Sequence, residues 1–118
     1  MITIPAGMRV LLATKPVYFR RGAHGLAALA AAALGEDPFS EVVLVFRSKR
    51  GDKLKLLHWD ASGLVLVWKE LQGGAFRWPP ITDGVVRLSA VQFAALFSGL
   101  DYSRVQSERT IPRPTAAA

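Results

Sequence analysis

The sequence predicts an α+β fold, an antiparallel meander of about four to five strands with two packing helices. Three observations carry this. Between Val42 and Leu71, apolar runs of strand length alternate with turns rich in Gly, Asp and Ser. From His24 to Leu34, apolar residues recur at helical spacing. Further on, Ser89-Ala90-Val91-Gln92 opens a second helical stretch with a capping box, Ser at the N-cap and Gln at N3. With 118 residues, 51% of them hydrophobic, the chain reads as one domain able to bury a modest core.

Taken in order, Met8 to Ala13 (MRVLLA) is a short strand set off by Pro5, Gly7 and Pro16. In the first helix Leu26, Leu29, Ala30, Ala33 and Leu34 share one face, Gly35 is placed as a C-cap, and Pro38 blocks continuation. The other face, Ala27, Ala28, Ala31 and Ala32, is small and apolar. It suits high helix propensity on a thinly exposed face, or close approach by a partner. Arg20 and Arg21 stand just before this helix. Cations there oppose the helix dipole, so an outside anion would help to explain them.

Val42 to Phe46 (VVLVF) is apolar at every position, as in a strand covered on both faces. Ser48 to Asp52 (SKRGD) is a turn, with Gly51 free to take positive φ. Lys53 to Trp59 alternates, and Asp60-Ala61-Ser62-Gly63 matches a type I turn into a strand over Leu64–Leu71. That turn places Trp59 opposite Leu64, so Lys55 faces Trp68 and Lys53 faces Glu70 on one face. The first of these pairs is a candidate cation–π contact. His58 with Val65, Leu56 with Val67 and Leu54 with Lys69 fall on the other face. Gln72-Gly73-Gly74 is a second turn, after which Ala75 to Trp78 briefly rejoins the sheet and Pro79-Pro80 ends it. Asp83-Gly84 turns into a strand over Val85–Leu88. The second helix runs to about Ser98 and buries Phe93, Leu96, Phe97 and Leu100, with Gly99 at C′. Residues 1–102 are expected to form the domain, and 103–118 a disordered tail, since the latter stretch has two Pro and no apolar period.

The absence of cysteine excludes disulfides and thiolate metal sites and fits a reducing cytosol. His24 and His58 are the only histidines and lack metal-ligand spacing, so neither a metal nor a cofactor is expected. The longest apolar run, Gly25 to Gly35, is too short to span a bilayer, and the N-terminus lacks a signal-peptide pattern. A cytoplasmic protein with no membrane partner is the expectation. The acids fall mostly at turns and caps, where turn geometry accounts for them, and no catalytic set emerges. A non-enzymatic protein is therefore expected.

The net charge of +6 and the pI near 10.3 favour an anionic partner, nucleic acid first. Arg47, Lys49, Arg50, Lys53 and Lys55 fall within nine positions around the first hairpin tip. Lys69 and Arg77 lie on the same sheet, and Arg20 and Arg21 form a second cluster. Such cations can contact phosphates, and a solvated loop would carry the same pattern. Trp59, Trp68 and Trp78 serve base stacking if exposed and a core if buried.

Four stretches together resemble a known family: PAGMRVLLATKP; FRRGAHGLAAL; GEDPFSEVVLVFRSKRGDKLKLLHWDASGLVLVWKEL with GAFRWP; and VVRLSAVQFAALFSGLDYSR. They look like TnpB, the small accessory protein of the IS-sixty-six type of bacterial insertion sequences. The likeness runs from about Ile2 to Arg104. Its most specific part is the GEDPF…VFRxxRGDxxKxLxWDxxGxxLxxKxL run. The family shares only its name with the RNA-guided nuclease TnpB. The resemblance implies an accessory role in transposition beside a separate transposase; it supplies no mechanism and no catalytic residues to carry over, and DNA and that transposase are the expected partners. The chain departs from the pattern at Tyr18, where an Asp is usual, at His24, where an acid is usual, and at His58, where an aromatic is usual. Two expectations follow: DNA binding through the basic hairpin tip, or an adaptor that docks on the transposase through the alanine face and the tryptophan end of the sheet.

Overall fold

The structure, a computed structural model, describes residue 4 and residues 7–105. It is an α+β fold built on a five-stranded sheet: β1 Arg9–Ala13, β2 Val42–Arg47, β3 Lys53–Trp59, β4 Leu64–Glu70 and β5 Val85–Leu88. The order across the sheet is β4-β3-β2-β1-β5. All neighbours are antiparallel except β1 and β2, which run parallel with Arg9 opposite Val42. The parallel pair follows from the connection between them. Parallel strands need a crossover, usually a helix, and here the connection carries helix α1, Ala23–Leu29. A second helix, α2, spans Ala90–Phe97.

Each face of the sheet carries its own core. Leu11, Val42, Leu44, Phe46 and Leu57 pack with Leu26, Ala27 and Ala30 of the α1 layer. Val10, Leu12, Val43, Val45, Leu54 and Leu56 pack with Phe93 and Leu96 of α2. The all-apolar β2 is thus covered on both sides, and each such fully buried aliphatic side chain contributes about 1.5–3 kcal/mol. The β3–β4 register places Trp59 opposite Leu64, Lys55 opposite Trp68 and Lys53 opposite Glu70, as the turn and alternation require.

The helices end as their sequences dictate. After Leu29 the chain continues through a π-helical turn, Ala30–Leu34, and stops at Gly35 with φ 66°. Ala27, expected on the thinly exposed face, is buried beside Leu26 and Ala30, and within the wider turn Ala33 is exposed. The capping box of α2 forms in both directions: the Ser89 hydroxyl accepts from the Gln92 N–H, and the Gln92 amide oxygen accepts from the Ser89 N–H. At its end, Leu100 N–H donates to Ala95 O, but the Leu100 side chain is exposed rather than buried.

Two local expectations change. Asp60–Gly63 is not a type I turn, because Ala61 has φ 80° where such a turn needs about −60°. Instead the Asp60 carboxylate gathers the N–H groups of Ser62 and Gly63 and the Ser62 hydroxyl. Ala75–Trp78 does not rejoin the sheet as a strand. Gly73 and Gly74, both at positive φ, turn the chain so that it crosses beside the first hairpin tip towards β5. The 3₁₀ turn Tyr102–Arg104 closes the described chain; the expected tail beyond residue 105 lies outside the described residues.

Candidate nucleic-acid interface

The β2–β3 hairpin tip, residues 48–52, is a clamped structure and not a free ribbon. Inside it, Ser48 Oγ donates to Asp52 and accepts from the Lys53 N–H. From outside, Leu71 N–H donates to Asp52 O at 2.8 Å and Phe76 N–H to Gly51 O at 2.9 Å. The Trp78 indole N–H donates to the same Gly51 oxygen at 2.8 Å. The Arg47 guanidinium lies 5.4 Å from the Trp78 ring centre, a cation–π distance. Burial there pulls the Arg47 pKa below its ordinary value, yet an arginine keeps its charge. Arg47 is therefore part of the clamp.

A second tether draws the Arg20–Arg21 turn to the same end of the molecule. β1 leaves the sheet beside the end of β2, and Val17 N–H donates to Arg47 O at 2.9 Å. Lys55 anchors the turn at residues 18–21. Its ammonium donates to Phe19 O at 2.6 Å and Arg21 O at 2.9 Å, and lies 4.7 Å from the Phe19 ring centre. The residue is only 8% exposed, and desolvation lowers its pKa. The expected contact with the Trp68 ring gives way to these carbonyls. Lys69 plays the matching part on the other face, donating to Phe97 O at the C-terminal end of α2 with Phe97's ring beneath it. A cation suits that helix end.

The nine cations singled out from the sequence thus divide by geometry. Arg47, Lys55 and Lys69 are turned to backbone and rings. Lys53 sits 3.8 Å from Glu70. Arg20, Arg21, Lys49, Arg50 and Arg77 are exposed, and none takes part in an ion pair among the described residues. Arg77 does add to the field of Ser103 and Arg104 that holds the Asp101 carboxyl below the usual aspartate value. The tethers bring these five to one end: Arg20 and Arg21 through Lys55, Arg77 through its neighbour Trp78, and Lys49 and Arg50 on the tip itself. Sequence reasoning missed the tethers, because the carbonyls that hold Lys55 and Trp78 are distant from them in sequence.

The opposite end differs in chemistry. Phe39 meets Trp59 edge-on at 5.5 Å, and Asp60 caps the β3–β4 turn. His58 lies at that end with its Nδ1 buried and unpartnered. A shallow groove runs beside the exposed alanines of α1 and of the π-helical turn after it, lined by His24, Ala28, Ala31, Pro38 and Phe39 among others. Among the described residues no three His, Asp or Glu side chains converge as a metal site would require, and no helix is long and apolar enough to cross a membrane.

A family model described as IS66 Orf2 like protein matches residues 8–107. The uncharacterized protein y4jC of Sinorhizobium fredii is 44% identical over 118 residues, covering all of both chains. A second uncharacterized protein of the same strain, y4hO, is 33% identical over 105 residues, 87% of this chain and 91% of its own length. No solved structure matches the chain.

Proposed function

The chain belongs to the family of IS66 Orf2-like proteins, a family associated with transposition, and on that premise we propose that it is a non-enzymatic accessory factor that holds DNA through its basic end. One observation carries the reading. Five exposed cations that form no ion pair among the described residues are gathered at one end by tethers that use other cations of the same cluster. Like charges repel, so a fold that assembles them with no ion pair among the described residues favours an outside polyanion. Lys49 and Arg50 meet phosphates from the tip, and Arg20, Arg21 and Arg77 extend the contact to either side. Lys53, shared between Glu70 and solvent, adds to the field at shorter reach.

The test is charge reversal on the rigid tip. Lys49→Glu with Arg50→Glu should weaken binding to a labelled duplex at least tenfold while the melting temperature holds, since both side chains are exposed and free of structural bonds. Unchanged affinity refutes the site.

The groove beside the α1 alanines favours a second reading, an adaptor that docks on the transposase of the same element. Such docking persists in high salt, whereas phosphate contacts fade steeply.

A further inference from the structure

Among the described residues, two exposed aromatic side chains accompany the cations of the basic end. Tyr18 is 65% and Trp68 54% exposed. The other two tryptophans differ: Trp59 packs edge-on against Phe39 and Trp78 against Phe76. Lys55 links the two exposed rings. It is Trp68's partner across β3 and β4, and its ammonium holds the turn in which Tyr18 O accepts from Arg21 N–H. Trp68 thus stands across the strands from the lysine whose ammonium holds the turn that carries Tyr18, Arg20 and Arg21, with Lys53 two residues along the same strand face. The acid nearby, Glu70, is the one that Lys53 faces.

From this juxtaposition we infer that the β4 edge around Trp68, at the basic end beyond the part of that face covered by α1, is a binding track for single-stranded DNA, with Trp68 and Tyr18 as stacking platforms for unpaired bases. The inference rests on the DNA reading above and names its substrate class. Cations alone do not discriminate, because duplex and single strand both carry phosphates. Rings do: in a duplex every base already stacks on its neighbours, while an unpaired base offers a free π-face. An exposed tryptophan on a sheet edge costs solubility, and a base laid on it removes that apolar surface from water. DNA opened at the end of a mobile element presents the required chemistry, unpaired bases on an anionic backbone.

The experiment is fluorescence anisotropy of the full chain on a labelled oligo-dT and on a duplex of equal length in the same buffer. Trp68→Ala should weaken oligo-dT binding about tenfold, in line with stacking on one base, while duplex binding changes less than about twofold. Trp68→Phe should retain most of the affinity, because phenylalanine still stacks, and it guards against a folding defect in the alanine variant. Tyr18→Ala should repeat the pattern. Oligo-dT and duplex affinities that fall equally in Trp68→Ala, or neither falling, overturn the inference and leave the DNA reading standing. So does a Trp68→Ala variant that changes only the sedimenting mass, which would make this face a contact between copies. Binding to neither DNA overturns both.

Discussion

The indole nitrogen of Trp78 donates a hydrogen bond to the carbonyl oxygen of Gly51 at 2.8 Å. This bond joins the β4–β5 connection to the tip of the β2–β3 hairpin. Gly51 stands at φ +78°, and a Cβ there would lie 3.0 Å from the Trp78 ring and 3.1 Å from Arg47 Nη2. Backbone conformation and ring packing therefore require glycine at the same position.

Gly51→Ala should destabilise the domain by about 2 kcal/mol, combining a left-handed penalty of roughly 1–2 kcal/mol with the displaced ring. Trp78→Phe keeps most of the packing and removes one hydrogen bond, which costs about 1 kcal/mol. Denaturant unfolding of both variants checks the order.

Lys55→Met should lower DNA affinity although the ammonium itself faces two carbonyls. Its global effect on stability should stay within about 1 kcal/mol, because removing a desolvated charge offsets part of the lost hydrogen bonding. The local effect is larger: the turn at residues 18–21 loses its anchor, so amide exchange at Val17 and Arg21 should speed up. Hydrogen exchange read residue by residue separates this from direct phosphate contact.

Ala61 at φ 80° carries strain that glycine relieves. Ala61→Gly should raise stability by a few tenths to about 1 kcal/mol, the relief of the left-handed penalty less the added freedom of the unfolded chain. A lower melting temperature would refute this.

Acid should weaken the same turn. Hydrogen bonds from Ser62 and then Gly63 hold the Asp60 carboxyl below the ordinary aspartate value of 3.8. A lowered folded-state pKa means that the unfolded chain binds more protons in that window. The stabilisation is thus present above pH 3.8 and lost as pH falls through the folded value. Asp60→Asn should therefore melt lower than wild type at neutral pH, and the two should converge in acid. A gap that does not narrow as the pH is lowered past 3.8 would contradict it.

Much of the sheet was legible because alternation and turn spacing are local signals. Trp59 and Leu64 bracket a short turn, and every pair from there to Lys53 and Glu70 follows in step. The parallel pairing of β1 with β2 was present as a strand–helix–strand order but is a long-range feature that no single stretch displays. Ala75–Trp78 has strand composition, yet two preceding glycines redirect it to the hairpin tip. The basic cluster was visible as a run of charge; which lysines face inward was not. Lys55 and Lys69 alternate with apolar residues just as solvent-facing lysines do, and only the carbonyls of Phe19, Arg21 and Phe97, distant in sequence, draw them in.

The most direct test of the basic end is the salt dependence of duplex binding by the wild-type chain. Each neutralised phosphate contributes about −0.9 to the slope of log affinity against log salt, so engagement of the five unpaired cations predicts a slope of roughly −3 to −5. Lys49→Glu with Arg50→Glu should flatten it by about 2. Absence of binding at low salt, or an affinity indifferent to salt, would contradict the assignment of this end to DNA.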